Sequence, residues 1–275
     1  MNWEEAVKEL RKNPDKKQAI IDNYFDEDID VSVNRFSESE EFCEVLDFIP
    51  THLKTILDIG AGRGMAAYGF AKRNYQVTAL EPDPSADVGA AAINYLSNKH
   101  QLAIEVVENF GEALPFNDNS FDIVYVRQVL HHAQDLAQFC KEVYRVMKPS
   151  GIFIATREHV LTSELDLKAF LAQHPLHHLY GGEHAFTLDY YKQCIGQSGL
   201  HLIKTLHPYE SVINYAPITK LGMRAQFQDG LSKIIGSSLA KMFIKIDFVY
   251  HLLAQVKAAN DNTPGRLYSF IALKK

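Results

Sequence analysis

The stretch Leu57–Ala67, LDIGAGRGMAA, reads as an apolar strand, three glycines on alternate residues and the start of a helix. A glycine turn between a strand and a helix brings backbone close to a ligand, because a Cβ there would collide with the ligand or forbid the turn. The spacing is Gly60-x-Gly62-x-Gly64, which differs from the GxGxxG of dinucleotide-binding turns. Asp58 sits at the strand end. An acid in that place suits an ammonium or sulfonium group better than a diphosphate, which wants a free helix N-terminus.

Outward from this turn the chain alternates strands and helices. TILDI, QVTALE, AIEVV, FDIVYV and GIFIAT are short apolar runs. Helices are expected over Met65–Arg73, Ser85–Lys99 and Leu136–Met147, the last stopped by Lys148-Pro149-Ser150-Gly151. This βαβα pattern implies a parallel sheet with helices on both faces. Further on, Thr187 caps a helix to Ser198, LHLIKTL is a strand, and RLYSFIAL is the last strand. Pro217–Ala259 is helical, with Leu231, Ile234, Ile235, Leu239, Met242, Phe243 and Ile246 at helical spacing and Gly236-Ser237-Ser238 as a divider. That stripe is read as packing on the sheet or as a homodimer contact. Residues 1–45 form a polar, helical N-terminal cap, with Tyr24, Phe25 and Phe36 turned inward as a lid. Residues 46–275 form the main domain, with a loop over the site at 173–186 and a helical insertion at 217–260.

Glu81 ends the second strand, 17 residues beyond Gly64. A carboxylate there can accept both hydroxyls of a ribose, which by itself indicates only a nucleoside. The 275 residues carry a net charge of -6, which excludes a general nucleic-acid binder, whose basic face would displace phosphate counterions. No apolar run reaches membrane-span length, and the N-terminal MNWEEAVKEL lacks an apolar signal region. Cys43, Cys140 and Cys194 are odd in number and far apart, so a reducing cytoplasm is expected and a disulfide framework is not.

The segment Gly111–Gly151, GEALPFNDNSFDIVYVRQVLHHAQDLAQFCKEVYRVMKPSG, carries E-x-LPF-x-D-x-SFD, then LHH, then a helix ending in V-x-KP-x-G. With LDIGAGRG and ALEP it resembles the type-11, ubiquinone-biosynthesis-like class I S-adenosylmethionine-dependent methyltransferases, over about Leu57 to Thr156. The resemblance implies a Rossmann-like seven-stranded sheet whose last strand is antiparallel and lies between strands five and six. It also implies S-adenosylmethionine as cofactor. Gly60, Ala61 and Gly62 would then pass under its methionyl part, and Asp58 would orient its amino group. Glu81 would take the ribose hydroxyls, Pro82 would pack on the adenine, and Gly111 and Glu112 would lie near its edge. Arg127 is grouped with these residues. Many relatives carry an aspartate where this chain has Phe110, so Phe110 is expected to stack on the adenine instead.

Methyl transfer is an in-line displacement that needs alignment and, for a hydroxyl acceptor, removal of a proton. Side chains beyond strands four and five are available for this: Arg127, Gln128, His131, His132, Arg157, Glu158 and His159. His131, His132 and Glu158 are the catalytic candidates, His131 and His132 matching the LHH of the resemblance and Glu158 standing beside Arg157, where several relatives have an aspartate. The loop QHPLHHLYGGEHAF holds His174, His177, His178 and His184 at spacings that match no established metal pattern, so no metal is expected there, and Tyr180 and His184 face the substrate. The expected function is methyl transfer to a small molecule, at an oxygen of a sugar or polyketide-like metabolite. The alternatives are C- or N-methylation, a non-catalytic S-adenosylmethionine-binding protein, and, against the glycine spacing, a nicotinamide oxidoreductase.

Overall fold

Four apolar runs buried on both faces, with the partly exposed AIEVV beside them, set the centre of the molecule. The computed structural model describes residues 2–173, 177 and 183–275. It begins with helices α1 (Trp3–Lys12), α2 (Lys17–Asp22), α3 (Ile29–Ser37) and α4 (Glu40–Asp47). The alternating part follows as β1 (Thr55–Ile59), α5 (Met65–Ala71), β2 (Gln76–Leu80), α6 (Ala90–His100), β3 (Ile104–Val107), β4 (Phe121–Arg127), α7 (Leu136–Val146) and β5 (Met147–Leu161). Then come α8 (Leu167–Gln173), the two-residue β6 (Phe186–Thr187), α9 (Leu188–Gln197) and β7 (His201–Leu206). The chain closes with α10 (Val212–Tyr215), α11 (Lys220–Ile235), α12 (Ser237–Phe243), α13 (Asp247–Asn260) and β8 (Arg266–Leu273).

The sheet runs β3-β2-β1-β4-β5-β8-β7, with β6 beside β5. Strands β1 to β5 are mutually parallel, and β8 is antiparallel to both its neighbours. The expected seven-stranded order is therefore present, and the short β6 is added to it. The order reverses between β1 and β4, and ligands in open α/β sheets bind at the carboxyl ends of strands at such a switch point.

Local chemistry sets the helix boundaries. Thr187 accepts from Tyr190 N and caps α9, as expected. The helix expected from Ser85 starts only at Ala90. Asp83 Oδ1 takes the Ser85 N–H (2.8 Å) and the Asp83 carbonyl takes the Ala90 N–H (2.7 Å), so an aspartate turn competes with the first helical turn. Gly236, at φ +81, ends α11 and divides the insertion where the sequence suggested.

Each sheet face carries its own core. One face packs Leu57, Val124, Val126, Phe153 and Ala155 under Phe139 and Val143 of α7 and Tyr191 and Ile195 of α9. The other packs Ile56, Tyr125, Ile152 and Ile154 under Phe42 and Val45 of α4, Phe70 of α5 and Ile213 of α10. Each such buried side chain contributes about 1.5–3 kcal/mol relative to exposure. Tyr24 and Phe36 are buried in the second core, and Phe25 is half-buried. The apolar stripe of the insertion does not pack on the sheet: Ile234 is 81% exposed, Met242 54% and Ile246 47%. The insertion instead shares a small core with α10, built from Val212, Tyr215, Met223, Ile244 and Tyr250. Among the described residues, no helix is long and apolar enough to cross a membrane.

Asp122 pins the amino ends of three strands. Its carboxylate accepts from Lys54 N, Thr55 N and Thr55 Oγ1, and from Lys148 Nζ at 2.9 Å. Burial raises its pKa, but the Thr55 and Lys54 N–H groups and Lys148 outweigh that and hold it well below the usual carboxylate range. A depressed folded pKa means that this stabilisation is present above the unfolded value and is lost as pH falls through the folded one. Asp122→Ala is expected to lower unfolding free energy by about 1–3 kcal/mol in denaturant titrations at neutral pH. An unchanged midpoint would mean that the three strands are held without it.

Candidate active site

The glycine turn joins β1 to α5 and crosses the end of β2. Gly60 N and Ala61 N both donate to the Leu80 carbonyl, at 2.8 and 3.2 Å. Gly60 and Gly62 adopt φ +66 and +56, the left-handed region that glycine tolerates at little cost. A Cβ on Gly60 would sit 2.5 Å from the Val129 side chain, so the loop after β4 presses directly on the glycine turn. A Cβ on Gly62 would meet nothing closer than 3.9 Å, so at this position the backbone conformation, and not crowding, calls for glycine.

Asp58 and Glu81 close this turn from below. Asp58 is buried, and its Oδ2 has no hydrogen-bond partner among the described residues. Burial pushes its carboxyl up to about 8, against a hydrogen bond from the Ala67 backbone, and the nearby Glu81 charge adds to the rise. Glu81 accepts from Gly62 N (2.6 Å) and Asp83 N (3.0 Å), and burial raises it to about 7 despite these bonds. Two buried acids with raised pKa values, one with an orphaned oxygen, make a site for a cationic group. Phe110, just after β3, is 65% exposed, while Gly111 is buried against the Phe139 ring. Glu112 accepts from Gln134 N at 2.9 Å.

The N-terminal helices cover the turn. Arg63, from the turn itself, is buried and donates to the carbonyls of Tyr24 (3.1 Å) and Asp26 (2.8 Å). Asp87 faces both Arg63 (3.4 Å) and Arg11 of α1. Arg127 is grouped with the cofactor residues by sequence, yet its guanidinium pairs with the buried Glu41 of α4 at 2.7 Å and lies over the Tyr24 and Phe36 rings. Arg157 turns to the same face, its Nη1 donating to the carbonyls of Ile213 and Ala216.

Glu158 goes to the opposite face because β5 carries a bulge. Ala155 pairs with Phe270 but Glu158 pairs with Tyr268, so β5 has one residue more than β8 between these points. Arg157, at φ +61, takes up the extra residue, and Ser269 Oγ receives its N–H. The slip reverses the alternation of side chains and sends Glu158 and Val160 to the α7 face. There Glu158 accepts from Val129 N (3.1 Å) and His131 N (3.2 Å), and its Oε2 lies 2.7 Å from His131 Nδ1. Burial pushes the Glu158 carboxyl up, and the surrounding backbone N–H groups draw it back.

His131, His132, His159 and Glu158 therefore form one group. The His131 ring centroid lies 4.2 Å from His132 and 4.7 Å from His159, whose Nδ1 donates to the Gly265 carbonyl at 2.8 Å. Glu183 joins them, its Oε2 lying 3.7 Å from His131 Nε2 and 3.9 Å from His132 Nε2. Sequence reasoning missed Glu183, although an acid directly after Gly181-Gly182 and beside the histidine-rich loop was a signal of its position. It also missed Glu41, Arg63 and Asp87. His184 packs against the Phe186 ring, with burial lowering its pKa. The expectations for His174, His178 and Tyr180 lie outside the described residues.

Residues 57–155 match the family model described as a methyltransferase domain. The uncharacterized methyltransferase YcgJ of Bacillus subtilis is 33% identical over 99 residues, which are 36% of this chain and 38% of that protein. The chain thus spans well under half the length of the curated relatives it matches. The crystal structure of that YcgJ protein superimposes with a TM-score of 0.56 at 17% identity, covering 86% of this chain and 98% of the other. Geranyl diphosphate C-methyltransferase from Streptomyces coelicolor, solved with Mg2+, geranyl-S-thiolodiphosphate and S-adenosyl-L-homocysteine, gives 0.57 at 12% identity, covering 85% and 76%. Residues 57–155 are therefore similar to a methyltransferase domain, the solved methyltransferase structures share this chain's fold, and S-adenosyl-L-homocysteine is the ligand bound in the Streptomyces coelicolor enzyme.

The residues present fit such a ligand, because the orphaned oxygen of buried Asp58 calls for a cationic partner such as an ammonium group. A bound ammonium favours the ionised carboxylate, whereas the free site near pH 7 is protonated at Asp58. Binding should therefore release roughly one proton at neutral pH, and affinity should rise with pH up to about 8. Calorimetric titration of S-adenosylhomocysteine in buffers of different ionisation enthalpy measures this. Heats that do not depend on the buffer would show that Asp58 does not change charge on binding.

Proposed function

We propose that the protein transfers a methyl group from S-adenosylmethionine to an oxygen of a small molecule, with a sugar or polyketide-like metabolite as the acceptor class. The observation that carries this reading is the contact of Val129 with Gly60. The loop bearing His131 and His132 is built onto the glycine turn, so polar side chains border the methionyl end of the cofactor site. The cofactor supplies a methyl group made electrophilic by a sulfonium sulfur. Asp58, Gly60, Ala61, Gly62 and Glu81 hold its methionyl and ribose parts, while Pro82, Phe110, Gly111 and Glu112 border the adenine. Arg127 supports the site from behind by holding α4 to β4 through Glu41.

An alcohol is a poor nucleophile near neutral pH, so an O-methyltransferase has to activate it. His131, His132, Glu158 and Glu183 supply the polar groups for that task, and Glu158 fixes the orientation of His131. C- or N-methylation and cofactor binding without turnover are the competing readings, and a cluster of three imidazoles and two carboxylates has no evident use in the last of them. Residues 1–45 act as the lid, tied down through Arg63 and Asp87.

Glu81→Ala is expected to weaken S-adenosylhomocysteine binding by about 1–3 kcal/mol, the range for lost hydrogen bonds to a charged group. His132→Ala is expected to keep that affinity and to lose roughly 10²-fold in turnover. The assay is S-adenosylhomocysteine release over a panel of sugar and phenolic acceptors, with the methylated atom assigned by NMR. A product methylated at carbon or nitrogen would overturn the oxygen assignment. Undiminished turnover in His132→Ala would remove that histidine from acceptor activation.

A further inference from the structure

Three side chains from two separate parts of the chain converge beside the loop after β4. His131 and His132 come from the turn after β4, and Glu183 comes from the segment that leads into β6. We propose that His131 Nε2, His132 Nε2 and Glu183 Oε2 bind a divalent first-row transition cation of the zinc type. The use of that ion in acceptor activation rests on the methyltransferase reading, but its binding does not.

The spacing carries the inference. The Glu183 oxygen lies 3.7 and 3.9 Å from the two imidazole nitrogens, and all three atoms lie within 4.8 Å of one another. Direct hydrogen bonds would bring such pairs to about 2.7–3.2 Å. Ligands at about 2.0–2.1 Å from a tetrahedral zinc stand roughly 3.4 Å apart, so only small adjustments separate these atoms from a shared ion. Two imidazoles with centroids 4.2 Å apart and planes tilted by 42°, both near one carboxylate, are an arrangement a cation would organise.

A second observation is the support behind the histidine. Ligating imidazoles characteristically give their other ring nitrogen to a carboxylate, which fixes the tautomer and the orientation of the ring. His131 does this with Glu158 at 2.7 Å, and Glu158 is itself held by two backbone N–H groups in a fully buried position. The His131 and Glu183 side chains are buried, while that of His132 is 37% exposed.

The ligand chemistry selects the class of ion. Two imidazoles and one carboxylate suit zinc and its neighbours, whereas Mg2+ and Ca2+ prefer all-oxygen sets. Three protein ligands among the described residues match the number that catalytic zinc sites use, with a fourth position for water or substrate. An acceptor hydroxyl occupying that position would have its pKa lowered, and its proton would pass to solvent. Glu183 belongs to the loop whose histidine spacing matched no metal pattern. Among the described residues, the turn LHH supplies the two imidazoles and this loop supplies the carboxylate.

The test uses the full chain, stripped with a chelator and titrated with Zn2+, Mn2+ and Mg2+ by calorimetry, with and without S-adenosylhomocysteine. About one equivalent of Zn2+ should bind, and Mg2+ should bind far more weakly. Glu183→Gln and His132→Gln should each weaken Zn2+ by tenfold or more while leaving the melting temperature and S-adenosylhomocysteine binding unchanged. Glu158→Gln should weaken it by about 10–100-fold through the orientation of His131. If Glu158→Gln fails to fold, the other two variants decide. Zn2+ binding that is equal in the wild type and the Glu183→Gln/His132→Gln double variant would overturn the site. If S-adenosylhomocysteine binds but Zn2+ does not, the metal inference falls and the methyltransferase reading stands. If Zn2+ binds at these residues but S-adenosylhomocysteine does not, the reverse holds.

Discussion

The buried carboxylate of Glu158 couples the sheet to both loops of the candidate site. It sits on β5, accepts from the backbone of Val129 and His131 in the loop after β4, and orients the His131 ring. Val129 in turn presses on Gly60, so the position of the glycine turn depends on the same contact. All of this requires the extra residue that Arg157 takes up. Without the bulge, Glu158 would point to the α4 face, and the β4 loop would lose the acceptor for its N–H groups.

On the α4 face, charge holds the N-terminal helices down. Glu41 lies between Arg127 and Arg157, and Asp87 lies between Arg63 and Arg11. These groups are largely removed from water, so loss of one partner leaves an uncompensated charge and costs about 3–5 kcal/mol. Burial drives Arg157 down, against the pull of Glu41, while Glu41 is strong enough to raise Arg127 despite its burial. The covering helices are thereby attached to the end of β4 and to the glycine turn.

The helical insertion is attached more lightly. The core it shares with α10 is small, and Leu221, Ile234 and Phe248 stand 78%, 81% and 74% exposed. Helical periodicity in the sequence was correct about the secondary structure here, but it did not reveal that the apolar stripe faces outward. Periodicity reports which residues share a side of a helix, and only the docking of that helix decides what the side meets.

What the sequence by itself determined was everything carried by short-range rules. Alternating apolar runs and helices set the sheet, Gly60 and Gly62 set the turn, and Thr187 and Gly236 set helix limits. Asp58 and Glu81 were legible as candidate site residues because their places at strand ends follow from those same elements. The histidine pair was legible too, although the partners of His131 were not. Glu158 and Glu183 reach it from 27 and 52 residues away in sequence. A non-glycine residue in the left-handed region decides the face that Glu158 occupies. Arg127 was assigned to the cofactor on its position after β4, whereas an acid on α4, 86 residues earlier, holds it. Side-chain pairing across such separations is set by how the layers pack, which is a tertiary property that no local pattern encodes.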